Sequence, residues 1–268
     1  MLRKTFAIIK KDFLAEASYK LSFLLNIFSV TAVVFVYFFI DRLFGQRITK
    51  HLQEFGVNYF SYVLLSMAFF SYIGSGIGSF SLRLRLEQMQ GTLESILLTP
   101  TKPYVILLGL GLWNIIFSSL NAAVYIVLGY FVFKINFSGI NIISTILILT
   151  LSIICFSGLG IISASFIIIF KKGNPVGWII NTLQGLLSGV YFPITVMPPF
   201  LQFAAKCFPI TYAIRAMELA VYKGYNISQL KLEMTVLFIS CIILLPLSKL
   251  SFEHALNIAR RQGSLCQY

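Results

Sequence analysis

The sequence predicts an all-α membrane protein, and three observations carry that prediction. First, six long apolar stretches cross the chain, at roughly Leu21–Ile40, Asn58–Leu82, Tyr104–Phe133, Asn141–Phe170, Pro175–Phe192 and Met234–Ser248. Each approaches or exceeds the ~20 residues that an α-helix needs to cross ~30 Å of hydrocarbon. Second, none of the six contains an Asp, Glu, Lys, Arg or His. Third, the chain is 58% hydrophobic and only 11% charged, against about 25% charged in soluble domains. Six spans with short connections consume nearly all of the 268 residues, so one membrane domain is expected over 21–250. The absence of ionisable residues from the spans has a functional consequence. Ion-driven transporters carry such residues at membrane depth as relays or ligands, so work done by this chain is expected to be powered from outside its membrane core.

The first stretch reads as a retained span. It is longer than the ~7–15 residues of a signal-peptide apolar region, and its exit, Phe39-Ile40-Asp41-Arg42, offers no small-x-small cleavage site. Six spans put both termini on one side. The segments on that side (1–20, 83–103, 171–174 and 249–268) hold 13 of the 21 Lys and Arg residues, and the opposite segments hold eight. Basic residues accumulate in cytoplasmic loops. Both termini, including a tail at 251–268, are therefore expected in the cytoplasm of a multi-pass cell-membrane protein. The net charge of +12 then faces anionic lipid headgroups, and nucleic acid is not an expected partner.

Residues 1–20 are amphipathic. Leu2, Phe6, Ile9, Phe13 and Ala17 form one helical stripe, with Lys4, Lys10, Lys11 and Asp12 largely off it. This is the pattern of a basic helix lying in the membrane interface; packing on a partner's surface is the alternative. Between the second and third spans, Gly91 can break one helix and Thr92 can cap the next. Leu93, Ile96 and Leu97 follow at i, i+3, i+4, and Pro100 stops the run. The spacing predicts a cytoplasmic helix of about two turns, too short to be stable without docking.

The fifth stretch is short, and Phe-Pro-Ile-Thr follows it twice, at 192–195 and 208–211. The apolar pieces at about Pro198–Cys207 and Ile210–Tyr222 are too short to span. A re-entrant helical hairpin is expected over about 192–222, dipping into the outer leaflet. Gly74-x-x-x-Gly78, Ser75-x-x-x-Ser79 and Gly185-x-x-x-Gly189 put small residues on helix faces, which allows close packing within or between subunits.

Catalytic signatures are missing. The chain has no Gly-Lys dipeptide and hence no G-x-x-x-x-G-K-[ST] phosphate loop, no G-x-S-x-G elbow and no H-E-x-x-H pair. Ser and Thr are common in the spans, but no base stands there to activate them. Cys155, Cys207, Cys241 and Cys266 form no C-x-x-C pair, and His51 and His254 stand far apart. No catalytic residue and no metal site is expected.

With those elements in place, the chain resembles the membrane subunits of ATP-binding cassette exporters of the ABC-2 class. Gly91-Thr92-Leu93-Glu94-Ser95-Ile96-Leu97-Leu98-Thr99-Pro100 is similar to that family's G-T-L-E-x-L-L-x-T-P cytoplasmic segment. Asn174-Pro175, then Leu187 to Pro193, Met197-Pro198-Pro199 and Phe208-Pro209-Ile210-Thr211-Tyr212 are similar to its fifth span and outer hairpin. The resemblance implies that two six-helix chains, copies or paralogues, pair and that each binds a separate cytoplasmic ATPase carrying ATP and Mg; the permease itself binds no cofactor. It implies that Gly91, Thr92, Leu93, Glu94, Ser95, Ile96, Leu97, Leu98 and Thr99 form the coupling helix seated on that ATPase, with residues 3–20 also touching it. It implies an outer gate at Phe192, Pro193, Pro198, Pro199, Phe208, Pro209, Thr211 and Tyr212. The outer loop here lacks the large extracellular domain of some relatives. The expected function is a dimeric export pathway for an amphipathic or lipid-linked cargo such as a drug, lipid, glycan or peptide. The alternative is a membrane scaffold that uses an ATPase for signalling or envelope remodelling without moving cargo.

Overall fold

Helix α1 runs from Lys20 to Thr49 and ends in a single 3-10 turn at Lys50–Leu52. In the computed structural model, residues 10–11, 13–14, 18–92, 95–96, 99, 103–137, 139–170 and 175–261 are described. At about 1.5 Å rise per residue, the 30 residues of α1 extend about 45 Å, well past the expected end at Ile40. No Gly or Pro interrupts the run before Gly45, and the Arg42 guanidinium lies over the Phe38 ring at 5.2 Å, so charge enters the last turns without ending the helix. Large apolar side chains along α1, among them Leu24, Phe28, Phe39 and Leu43, face outward.

Helix α2, Tyr59–Met89, is the most enclosed of the long helices. Its orphan first-turn amides find two acceptors from outside the helix ladder: Asn58 Oδ1 takes Ser61 N–H at 3.2 Å, and Asp41 of α1 takes Phe60 N–H at 3.2 Å. A carboxylate at a helix N-terminus also matches the macrodipole. Helix α3, Pro103–Val127, opens on proline, which suits a first turn whose amide is unpaired anyway, and runs into a π-helical turn at Leu128–Val132. Helix α4, Ile142–Phe170, starts at an Asn141 cap that accepts from Ser144 N–H at 3.1 Å.

Helix α5, Pro175–Leu187, is only 13 residues long, about 20 Å. The sequence expectation carried it to Phe192. It stops earlier because Gly189 takes φ +86°, a left-handed conformation that glycine adopts freely, and Pro193 follows. Five helices, not six, are long and apolar enough to span among the described residues. After a 3-10 turn at Ile194–Val196 come α6, Pro199–Lys206, and α7, Pro209–Tyr222. Helix α8, Lys231–Arg261, carries Pro246 within it and continues ten residues past 251, so the segment read as a tail is helical to Arg261.

Contacts set the directions. Gly111 of α3 meets Phe80 of α2, and Gly129 meets Leu64, so α2 and α3 are antiparallel. Cys241 of α8 bonds Leu151 of α4, while Phe80, Ala164, Ile167, Phe252 and Leu256 form one cluster further along. Helices α2, α4 and α8 therefore run one way and α1, α3 and α5 the other. The end of α2, the start of α3 and the end of α8 share one end, here the terminal end. Residues 50–58, 133–141 and 188–230 make up the other, the hairpin end.

The α2–α4 crossing is made by glycines that the small-residue motifs did not single out. A Cβ on Gly160 would lie 2.4 Å from the Gly76 carbonyl oxygen, which is impossible without moving backbone. Among the described residues, Gly74 and Gly78 have no atom within 4 Å of such a Cβ, so no close helix crossing is made at either. Opposite outcomes follow for the same substitution. Gly160→Ala should lower stability by ~1–3 kcal/mol through overpacking, while Gly74→Ala should be neutral or raise it by about 0.5–1 kcal/mol through helix propensity. Thermal unfolding of the two purified variants checks the signs.

Candidate functional site

At the terminal end, α2 closes in a double turn built on Gly91. Thr92 N–H bonds the Glu87 carbonyl at 3.0 Å and Gly91 N–H bonds the Gln88 carbonyl at 3.1 Å. Gly91 sits at φ +69°. This is the Schellman arrangement, which uses glycine at the left-handed position and satisfies orphan carbonyls at a helix end. The sequence expectation made Thr92 the cap of the next helix. Its hydroxyl instead turns back to α2 and bonds the Glu87 carboxylate and carbonyl. Glu87 is 5% exposed and also receives Lys11 Nζ at 2.6 Å. One buried carboxylate thus ties the N-terminal segment and the start of the 91–99 segment to α2.

Beyond Thr92 the chain makes a helical turn: Ile96 N–H bonds the Thr92 carbonyl at 3.1 Å, and Thr99 N–H bonds the Ile96 carbonyl at 3.3 Å. Gly91, Thr92, Ser95 and Thr99 are exposed and Ile96 is half-buried. Leu93, Glu94, Leu97 and Leu98 lie outside the described residues, as do most of residues 1–20. Phe13, a member of the expected apolar stripe, meets Trp113 of α3 edge-on at 5.6 Å.

At the hairpin end, each proline read from the sequence sits at a bend or a helix start. Pro193 precedes the 3-10 turn, Pro198 is the residue before α6, and Pro199 and Pro209 occupy the first positions of α6 and α7. Phe192 and Phe208 pack on the Leu187, Met197 and Ala205 cluster. Thr211 Oγ1 donates to the Ala205 carbonyl at 2.7 Å, fastening α6 to α7. Tyr212, Thr211 and Pro193 line a polar cavity of about 390 Å³ together with Gln202, Lys206 and Arg215. The hairpin is fastened to α2 as well: Tyr62 Oη donates to the Gly189 carbonyl at 2.5 Å, and Tyr222 Oη donates to the Ser61 carbonyl at 2.7 Å.

A family model described as ABC-2 type transporter matches residues 3–222, from the N-terminal segment to the last residue of α7. The chain belongs to the ABC-2 type transporter family. No curated relative matches it. It is a multi-pass membrane protein and the membrane domain of a transporter, a transport subunit and not a catalytic one.

Two parts of this ABC-2 permease were not expected. One is a polar cleft of about 430 Å³ between α2, α3 and α5, lined by Ser75, Ser79, Asn114, Ser118 and Asn181, with Gly78 in its floor. The i, i+4 repetition of polar residues was the available signal; Ser75 and Ser79 were read from the sequence as small-residue packing, and Asn114 with Ser118 was not singled out. The lining is mixed: these hydroxyls and amides share the cleft with Leu82, Phe117 and Trp178, which supply much of its surface. The other is Glu218 on α7, which is 0% exposed and accepts from Ser66 Oγ of α2 at 2.7 Å. The charge-free spans had implied a core without ionisable groups. Helix α7 brings one in because ten of its 14 residues are buried, Glu218 among them. The signal for it is a lone acid inside the apolar run Ala216 to Val221.

Arg215 organises the rim. Its guanidinium contacts Glu54 Oε1 at 2.5 and 3.1 Å and Glu233 Oε1 at 3.0 Å. Burial alone would lower its pKa; hydrogen bonding and charge from Glu54, with charge from Glu233, outweigh that and raise it. The Glu54 side chain is 49% exposed and that of Glu233 only 6%. Removing the cation strands a buried carboxylate, whereas losing Glu54 breaks an exposed pair. Arg215→Met is therefore expected to cost about 3 kcal/mol and Glu54→Gln under about 1 kcal/mol, read from denaturation midpoints.

Proposed function

We propose that this chain is the permease of an exporter: two such chains form the pathway, and a separate cytoplasmic ATPase drives it from the terminal end. The observation that carries this reading is the Glu87 junction. Thr92, at the exposed start of the Gly91–Thr99 segment, is bonded to Glu87 at the end of α2, and Lys11 of the N-terminal segment bonds the same carboxylate. A push on that segment is therefore a push on α2. The excess of basic residues at the terminal end supports a cytoplasmic placement for it, where an ATPase resides.

Movement of α2 acts in two places. It forms one wall of the polar cleft, and it holds the hairpin through Tyr62, Ser61 and Ser66. Cargo would enter the cleft between α2, α3 and α5 and leave past the hairpin. A lining of Ser and Asn beside Leu82, Phe117 and Trp178, without charge, favours an amphipathic or lipid-linked molecule, since a fully charged group would be left without a counter-ion. The apolar outer face of α1 is available to lipid or to the second permease chain.

The test is a co-purification. Leu93 and Ile96 are replaced by Asp, and the chain is isolated with its cognate ATPase and reconstituted in vesicles. Loss of ATPase binding and of ATP-driven cargo movement is expected. Undiminished binding and transport would remove the coupling role of Gly91–Thr99.

A further inference from the structure

Three acids are buried among the described residues, and two have cations: Glu87 has Lys11 and Glu233 has Arg215. Glu218 has none. Its Oε1 accepts from Ser66 Oγ at 2.7 Å, and its Oε2 is buried without a partner. The polar groups around it are committed elsewhere: the Tyr62 hydroxyl donates to the Gly189 carbonyl and the Tyr222 hydroxyl to the Ser61 carbonyl. Of the elements packed against α7, α4 carries no Asp, Glu, Lys, Arg or His. Helix α8 presents Glu233, and the 50–58 connection presents Glu54; both are bound to Arg215. Lys206 of α6 faces the hairpin cavity, and the Lys223 ammonium lies against Gly56.

An ionised carboxylate without a counter-charge is costly in such a place, and the group takes up a proton instead. Burial accordingly holds Glu218 well above the usual carboxylate range, and the Ser66 hydroxyl offsets only part of this. Glu218 also sits where α7 meets α2, so it stays dry only while the hairpin is docked.

We propose that Glu218 is a proton-binding site that links docking of the hairpin on α2 to protonation. The docked hairpin holds Glu218 as a neutral acid. Undocking admits water, the carboxyl ionises, and the proton passes to solvent; redocking takes one proton back. The sign follows from the docked form having the higher proton affinity. Docking is most stable at low pH and weakens as pH rises. Above about pH 4.3, where a solvated glutamate ionises, the docked-to-undocked ratio falls about tenfold per pH unit until the docked carboxyl itself ionises. The inference concerns α7 alone and does not depend on the cargo or on ATPase coupling.

Hydrogen exchange of the full chain in lipid nanodiscs tests it. Exchange in a 209–222 peptide is measured across pH in wild type and in Glu218→Gln, which stays neutral. The ratio between the two cancels the intrinsic pH dependence of amide exchange. It should rise towards tenfold per pH unit, with exchange in α4 unaffected; a ratio independent of pH would overturn the proposal. Should the Gln variant not fold, wild type alone decides. Exchange in α7 relative to α4 must steepen with pH, and the infrared spectrum must contain the carbonyl stretch of a buried, protonated carboxylic acid that persists above the pH at which solvated carboxyls ionise. Failure of either result would equally overturn it.

Discussion

Helix α2 is the constraint on which the other elements depend. In a bilayer, helices gain little by hiding apolar surface from lipid, so they associate through close packing and polar contacts. Here both kinds converge on one helix. Gly76 lets α4 approach to backbone contact at Gly160, Phe80 seats against Gly111 of α3, and the first turn borrows Asp41 from α1. The same helix is bonded at both ends to segments that do not span. At the terminal end Glu87 gathers Thr92 and Lys11; at the hairpin end Tyr62, Ser61 and Ser66 hold Gly189, Tyr222 and Glu218. Ser66 and Glu87 are 21 residues apart on one unbroken helix, about 30 Å. On the proposed mechanism, displacement at one end of this helix arrives at the other.

Much of this was legible in the sequence because its signals are local. Most span positions follow from apolar run length, and the helix starts at Pro199 and Pro209 follow from the chemistry of a first turn; Pro103, read as a stop, opens α3. The break at Gly91 follows from the left-handed conformation that this helix cap requires. Charge-based boundaries fared worse. Helices α1, α2 and α8 run on through Arg42, Arg85 and Lys249, because a charged residue at the membrane surface marks the edge of the hydrocarbon and does not end a helix.

The parts that escaped are those decided by which faces meet. Glycines at 74, 76, 78 and 160 are alike as sequence, yet only Gly76 and Gly160 are brought together by the register of α2 on α4. Ser75 and Ser79 read as packing residues and turned out to line a cleft, because α3 and α5 present Asn114, Ser118 and Asn181 opposite them. Glu218 falls inside the expected hairpin, and its place there does not by itself mark it as buried. It is buried because α7 carries apolar residues on nearly every side and is drawn against α2, α4 and α8. A one-dimensional reading records that a group is polar; whether it is buried depends on its neighbours.

In the proposed mechanism α2 carries movement from the Gly91–Thr99 segment to the hairpin. Cys207, an exposed free thiol at the end of α6, offers a reporter in a Cys266→Ser background. With a fluorophore on Cys207 and the permease reconstituted with its ATPase, ATP binding should change the emission. Interrupting α2 with Ser71→Pro should abolish that change while the ATPase remains bound. Cargo transport proceeding with an unchanged signal at Cys207, or a signal that survives the interruption of α2, would contradict the account.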